Sequence, residues 1–183
     1  MMAAGQRSDL VVEAARPEHA AALRQLVRDA NEEHRWAMPK VVFDNYVHDL
    51  MLLVGNEPPA GMLVVRDASD GRVVGTGTVV TAEAFHSLWP TGTVVLRAMA
   101  VAPSARGTGV GGVVGRACLE RARALDASSV GLHTAPFMVD AMRLYEGLGF
   151  VRWPALDVRI DEIFGPAGEP YDDPALAFRL DLS

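Results

Sequence analysis

The chain of 183 residues lacks several features that define whole classes of protein. Its single cysteine, Cys118, excludes an internal disulfide and a multi-cysteine metal site, and it indicates a reducing compartment. No apolar run reaches the length needed to span a membrane, and the N-terminus MMAAGQRSDL lacks the apolar stretch of a signal peptide. These absences predict a cytoplasmic protein with no membrane partner.

Basic residues are fewer than acidic ones, 17 against 23, which gives a net charge of −6. Nucleic-acid binding needs clustered positive charge, so the composition argues against nucleic acid as a partner. No repeat, low-complexity tract or long linker divides the chain, and 50% of its residues are hydrophobic. We therefore expect residues 9–183 to form one domain with its own core, preceded by a flexible segment over residues 1–8.

The order of predicted strands and helices indicates a mixed α+β fold. Strands are predicted over Leu10–Ala15, in a hairpin that turns at 67–71, and over Thr93–Val101, Ser129–Thr134, Phe150–Trp153 and Leu176–Leu182. Helices are predicted after Pro17, over Val41–Leu53, after Pro103 and over Pro136–Leu148. The stretch 31–39 is predicted to be a polar connection, and the stretch between Trp153 and Leu176 a long loop.

Five glycines fall between positions 107 and 115, in the segment LRAMAVAPSARGTGVGGVVGRACLERA. They lie between a predicted strand and a predicted helix. The first amides of a helix lack internal partners and carry partial positive charge, and glycine lets the backbone approach an anion closely. Arg106 adds a fixed positive charge beside them. The segment therefore predicts a site for a phosphate-bearing ligand.

Other interpretations of the same glycines remain open. Gly107, Gly109 and Gly112 match the G-x-G-x-x-G fingerprint of dinucleotide-binding proteins. However, five residues separate these glycines from the predicted strand end at Val101, and the segment lies past the middle of the chain. A P-loop is excluded because no Lys-Ser or Lys-Thr pair follows. A further interpretation is a tight turn with close helix packing and no ligand.

Two motifs in this order resemble those of the GNAT superfamily of acyl-CoA-dependent N-acyltransferases. Arg106–Gly111 resembles the family's Arg/Gln-x-x-Gly-x-Gly/Ala loop, and Leu144-Tyr145-Glu146 followed by Leu148-Gly149-Phe150 resembles its second hallmark. The resemblance is strongest over 93–153 and weak after Ala155. It implies a central mixed, mostly antiparallel sheet that is splayed at its middle strands and flanked by helices, with coenzyme A in the gap.

The resemblance also implies roles for individual residues. Main-chain groups of the strand would pair with the pantetheine arm and polarise the thioester carbonyl, while the glycine amides and the neighbouring arginine would hold the pyrophosphate. The residues expected to bind acetyl-CoA, the implied co-substrate, are Met99, Ala100, Val101, Arg106, Gly107, Thr108, Gly109, Val110, Gly111 and Gly112. Tyr145 would be the general acid that protonates the leaving thiolate. A packed core aromatic is the alternative for Tyr145, because it continues the apolar stripe of its helix.

The sequence leaves the identity of the general base open. Many family members carry a glutamate early in the strand that matches Thr93–Val101, whereas this chain has no carboxylate over Val94–Arg97. His133, at the end of a predicted strand, is the first candidate, and a hydrogen-bonded structural histidine is the alternative for it. Glu83, His86 or a water molecule could take the role instead.

The expected activity is direct transfer of an acetyl group from acetyl-CoA to a primary amine of a small molecule or peptide, without a metal. A homodimer is left open. An acidic chain fits cationic acceptors such as polyamines, aminoglycosides or protein amino termini, and Trp36 lies in a connection that often borders the acceptor site in this family. The alternatives are a non-catalytic acyl-CoA-binding or regulatory module, which the missing glutamate favours, and a nicotinamide-dependent oxidoreductase.

Overall fold

The computed structural model describes residues 9–56, 58–82, 89–165 and 171–182. Its strands are β1 (Leu10–Ala14), β2 (Met62–Asp67), β3 (Val73–Thr81), β4 (Thr93–Val101), β5 (Ser129–Thr134), β6 (Val151–Arg152), β7 (Val158–Arg159) and β8 (Pro174–Asp181). Its α-helices are α1 (Ala20–Glu32), α2 (Lys40–Val54), α3 (Val110–Arg123), α4 (Val139–Gly147) and α5 (Ile160–Phe164). Within these ranges, no helix combines the length and the apolar character needed to cross a bilayer.

The strands lie side by side in the order β1-β2-β3-β4-β5-β8-β6, and β7 pairs with the start of β8. Every neighbouring pair is antiparallel except β4 and β5, which run parallel. A parallel pair needs a crossover connection, and α3 provides it between β4 and β5. The predicted mixed, mostly antiparallel sheet with flanking helices is confirmed.

The sheet opens between its middle strands β4 and β5. They pair over three residues each, ending with Val95 opposite Gly131, although β4 continues to Val101. A β-bulge interrupts β4, and its Ala98 has a φ of 48°, a left-handed conformation that is strained for a residue with a Cβ. A bulge bends its strand and increases the twist, which turns the end of β4 away from β5. The predicted splay is therefore confirmed.

Helices cover both faces of the sheet. Neighbouring strand residues point to opposite faces. Val65 of β2 packs in a core with Cys118 of α3 and Tyr145 of α4, whereas the adjacent Val64 packs in a second core with Leu23 of α1. A third cluster joins α2 to α5. Because the gap between β4 and β5 passes through the sheet, it faces α3 and α4 on one side and α1 and α2 on the other.

Two expectations about connections are wrong. The predicted long loop after Trp153 contains β7 and α5, which have only two and five residues and are too short for a periodic apolar pattern. They are stabilised by tertiary packing, since Ile160 is buried against the cluster around Phe43 of α2. The connection predicted at 31–39 holds the end of α1 and a 3-10 turn at Arg35–Ala37. Residues 1–8, the predicted flexible segment, lie outside the described residues.

Candidate active site

The loop between β4 and α3 has an open backbone conformation that suits glycine. Gly107 has a φ of 73° and Gly109 a φ of 93°, values at which a side chain is strained. A Cβ built on either residue would meet no heavy atom within 4 Å. The hydroxyl of Thr108 donates a hydrogen bond to the Ala105 carbonyl at 2.7 Å, which closes the turn. The turn conformation explains both glycines, and the space beside them is open.

Six consecutive amides, from Gly107 to Gly112, have no hydrogen-bond acceptor in the described part of the chain. The next amide, that of Val113, donates to the Gly109 carbonyl at 3.2 Å and begins the helical pattern. Helix α3 is 14 residues long, so its dipole adds partial positive charge at this end. Unsatisfied amides at the start of a long helix favour a bound anion, and a pyrophosphate group fits this donor set.

Gly111 and Gly115, one turn apart on α3, have a different role. A Cβ on Gly111 would approach Leu144 of α4 to 3.0 Å, and a Cβ on Gly115 would overlap Leu148 at 2.3 Å. The lack of side chains at these positions lets α3 approach α4 closely, and α4 carries Tyr145. Close helix packing, one of the interpretations of the glycine pattern, therefore applies to this pair.

Arg106 connects the glycine loop to the end of α1. Its guanidinium forms an ion pair with Glu33, and its Nη2 donates to the Ala30 carbonyl at 3.0 Å. The sequence predicted the cation beside the loop but not its carboxylate partner. The positive charge at the glycine loop is thus already partly balanced by the protein.

A cavity of about 1260 Å³ follows the gap between the splayed strands. Met99, Ala100 and Val101 line it along the edge of β4 that has no described strand beside it, and the glycine loop lies at one end. Pockets for one small ligand enclose about 300–1,000 Å³. The volume is therefore enough for a long donor molecule together with an acceptor.

Tyr145 lies on α4 and lines the cavity. Its ring packs against Phe150 and Phe178, with centroid distances of 6.0 and 6.5 Å. Burial raises the pKa of the phenol, and the nearby Tyr46 and Cys118 add to the shift. Its hydroxyl has no hydrogen-bond partner among residues 9–56, 58–82, 89–165 and 171–182. The side chain is at once a core aromatic and a protonated hydroxyl that is available to a ligand.

His133, at the end of β5, also lines the cavity. Its Nε2 lies 2.8 Å from the Leu156 carbonyl, and its ring lies 5.4 Å from the Trp89 ring. Because a carbonyl only accepts, Nε2 carries the proton in this hydrogen bond, and Nδ1 is the nitrogen that could accept one. Burial lowers the pKa of the imidazole, although the hydrogen bond to Leu156 opposes the shift. Glu83 and His86, the other candidate bases, lie outside the described residues.

His34 is a cavity residue that sequence reasoning missed. It follows α1, its ring packs 5.3 Å from the Phe137 ring, and its Nε2 lies 3.4 Å from the Glu33 carboxylate. Burial lowers the pKa of this imidazole, while Glu33 opposes the shift and Arg106 adds to it. The sequence motif Asn-Glu-Glu-His is typical of a solvated connection, and nothing in it indicates that the imidazole ring is half-buried. Trp36, in the same connection, lines the cavity with 80% of its surface exposed.

Two polar pairs on the α2 side were also missed. The Tyr46 hydroxyl donates to Asn31 Oδ1 at 3.1 Å, and burial raises the pKa of this phenol to about 12. Arg97, which stands early in β4 where family members often carry glutamate, forms an ion pair with Asp49. Across the described ranges, no group of three or more metal-ligating side chains comes together.

Comparison with known proteins identifies the family. The GNAT acetyltransferase family matches residues 20–150 of the chain. No protein of curated function matches the chain in sequence.

Solved structures share the fold at low sequence identity. The diaminobutyrate acetyltransferase of Paenibacillus lautus, in complex with its substrate and coenzyme A, has a TM-score of 0.65 and 16% identity over 95% of each chain. An IAA acetyltransferase from Bacillus cereus has a TM-score of 0.63 and 18% identity over 95% of this chain and 100% of its own. The ribosomal-protein-S18-alanine N-acetyltransferase of Escherichia coli has a TM-score of 0.63 and 13% identity over 96% of this chain and 95% of its own.

The splayed sheet, the loop of unsatisfied amides and the family match over residues 20–150 agree with one another. The chain belongs to the GNAT acetyltransferase family and is an acyltransferase.

Proposed function

We propose that this acyltransferase moves an acetyl group from acetyl-CoA directly to a primary amine of a small molecule or peptide. The run of unsatisfied amides from Gly107 to Gly112, at one end of a cavity along the open edge of β4, carries the proposal. These amides and Arg106 would hold the pyrophosphate, and main-chain groups of Met99 and Val101 would bind the pantetheine arm. The diaminobutyrate relative, which is in complex with an amine substrate and coenzyme A, supports this pairing of donor and acceptor.

Tyr145 is proposed as the general acid. When bound, acetyl-CoA supplies a thioester carbonyl for the amine to attack and a thiolate leaving group, whose parent thiol resembles cysteine with a pKa of about 8.5. The raised pKa keeps the Tyr145 phenol protonated at neutral pH, so its hydroxyl can donate to the departing sulfur. An amide of β4 between Met99 and Val101 would donate to the carbonyl oxygen as negative charge develops on it.

The proton balance needs a base as well. A primary ammonium group must lose one proton before it attacks and a second when the amide forms, and the thiolate takes up one. His133 would accept through Nδ1, since Nε2 is occupied by Leu156. His34 is a second candidate because burial lowers its pKa, so its imidazole is neutral at pH 7.

A non-catalytic acyl-CoA-binding module is the second candidate function. The observation that favours it is Arg97, a cation paired with Asp49 early in β4, where many relatives carry a carboxylate. Thiol release from acetyl-CoA with a panel of primary amines separates the two functions. Release above the water background with any amine supports transfer, and binding of acetyl-CoA without release supports the module.

The donor site is tested with two variants of one glycine. Gly109→Glu and Gly109→Gln impose the same strain at a φ of 93°, but only the glutamate brings negative charge to the proposed pyrophosphate site. We expect Gly109→Glu to raise the acetyl-CoA Kd at least about tenfold over that of Gly109→Gln, measured by calorimetry, because a like charge nearby costs more than about 1.4 kcal/mol. Equal Kd values for the two variants would contradict the assignment of this loop.

A further inference from the structure

The cavity has an apolar wall beside α2 and α5. Six side chains from three separate segments form this acceptor wall, and all belong to one hydrophobic cluster: Met38, Phe137, Met138, Val158, Ile160 and Phe164. Ile160 is buried, whereas Phe137 and Phe164 are half-buried and keep part of their surface open. A ligand on this side would therefore cover apolar carbon.

The two carboxylates that line the cavity each have a cationic partner. Of the described residues that line it, Glu33 and Asp140 are acidic. Glu33 is ion-paired with Arg106 and lies 3.4 Å from His34 Nε2. Asp140 is 98% exposed at the surface and lies 3.3 Å from Arg143. Neither carboxylate stands unpaired beside the acceptor wall.

The cations that line the cavity outnumber these carboxylates. Arg97, Arg106 and Arg143 all lie along it, and each is ion-paired; the partner of Arg97 is Asp49 of α2, which does not line the cavity. A polyamine or aminoglycoside brings two or more ammonium groups, and each needs an anionic or hydrogen-bonding partner when it leaves water. The six apolar side chains of the acceptor wall offer such an acceptor no anionic partner.

Building on the acetyl transfer proposed above, we propose that the acceptor is a primary amine of single positive charge on an aliphatic or aryl-alkyl group. The apolar group would lie on the acceptor wall, and the nitrogen would point to the gap. The ring of Tyr46 packs edge-on against Phe164 at 5.4 Å, while its hydroxyl bonds to Asn31. Apolar and polar surfaces thus adjoin on the α2 side, which matches an acceptor with one polar end.

A homologous series of amines tests this proposal. We expect kcat/KM for thiol release from acetyl-CoA to rise about fourfold for each methylene added between propylamine and hexylamine, because each buried methylene contributes about that factor. Phenethylamine should match hexylamine, and spermidine should react no faster than propylamine. A flat series, or spermidine faster than hexylamine, overturns the acceptor class and leaves acetyl transfer standing. If none of the amines gives thiol release above the water background, both proposals are overturned.

A charge at the mouth of the acceptor wall gives an independent test. Ile163 lines the cavity with 52% of its surface exposed, so Ile163→Glu should fold while placing a carboxylate beside the wall. We expect about a tenfold lower kcat/KM with hexylamine and a higher value with spermidine. Leu52→Glu is the matched control, since Leu52 is a 67% exposed α2 residue that does not line the cavity. Unchanged hexylamine kinetics in Ile163→Glu would place the acceptor elsewhere.

Discussion

Replacing Tyr145 with phenylalanine should separate stability from catalysis, because the hydroxyl is expected to matter for turnover and not for folding. The substitution keeps the ring that packs against Phe150 and Phe178 and removes a hydroxyl that has no described hydrogen-bond partner. Because this hydroxyl faces the cavity and makes no described hydrogen bond, its removal breaks no interaction within the described part of the protein. We therefore expect the free energy of unfolding to stay within about 0.5 kcal/mol of wild type.

Turnover should fall in the same variant. General acid catalysis contributes about 10²–10⁴-fold to a rate, or roughly 3–5 kcal/mol of transition-state stabilisation. Since Tyr145 is proposed to act on the leaving group, kcat should drop by about this factor while the Kd for acetyl-CoA changes less than about threefold. The pKa of Tyr145 is raised, so the wild-type rate should show no alkaline loss from this group below about pH 10.

Tyr46→Phe is the matched control for Tyr145→Phe. It also removes a tyrosine hydroxyl from the cavity, but this hydroxyl donates to Asn31 at 3.1 Å. Loss of that bond should lower the free energy of unfolding by about 1 kcal/mol and leave kcat within about tenfold of wild type. Urea unfolding and single-turnover thiol release measure the two quantities. Equal kcat values for Tyr145→Phe and wild type would refute the acid role and leave Tyr145 a core residue.

Two further predictions concern the helix contact and the buried histidines. Gly115→Ala should lower the free energy of unfolding by about 1 kcal/mol, because the overlap of the new Cβ with Leu148 costs about 1–3 kcal/mol and the helix propensity of alanine returns up to about 1 kcal/mol. Gly147→Ala is the control. Its Cβ would meet no heavy atom within 4 Å, so this variant should be neutral or stabilising in the same urea titration. Burial lowers the pKa of both His34 and His133 below 6.5, so unfolded chains bind more protons and stability is lost as the pH falls below about 6.5. The Tm should drop between pH 7.5 and 5 and drop less in His133→Gln; equal pH dependence of the two proteins would refute this contribution.

Local patterns predicted the central strands accurately. Runs rich in β-branched residues, bounded by turn residues, gave the observed limits of β4 (Thr93–Val101) and β5 (Ser129–Thr134). The start of α3 was less accurate, because Pro103 begins a 3-10 turn and the α-helix starts only at Val110. Proline marks where a helical φ begins, but it does not determine which helical hydrogen bonds follow.

The glycine segment shows how one pattern can combine two physical requirements. Gly107 and Gly109 have positive φ in open space, whereas Gly111 and Gly115 permit close approach of α4. In the sequence the four residues look alike, and only the positions of their neighbours in space distinguish them. The ion pair between Arg106 and Glu33 could not be predicted from the sequence either, because the two residues are 73 positions apart and Glu33 lies in a polar connection with no distinguishing pattern.

The proposed donor end of the cavity follows from a sequence motif and the proposed acceptor end does not. The reason is the sequence distance between the groups that form each end. The anion site is built from consecutive amides and the helix that follows them, so a short motif specifies it. The acceptor wall is assembled from the α1–α2 connection, the start of α4, β7 and α5, and its members include Met38, Phe137, Val158 and Ile160. Each of these residues, taken alone, has the pattern of an ordinary core residue. Because the sheet is splayed and β7 and α5 fold back beside α2, part of this cluster faces a cavity instead of a partner. Exposure of that apolar surface is a property of the topology, and it is the basis for expecting an apolar amine.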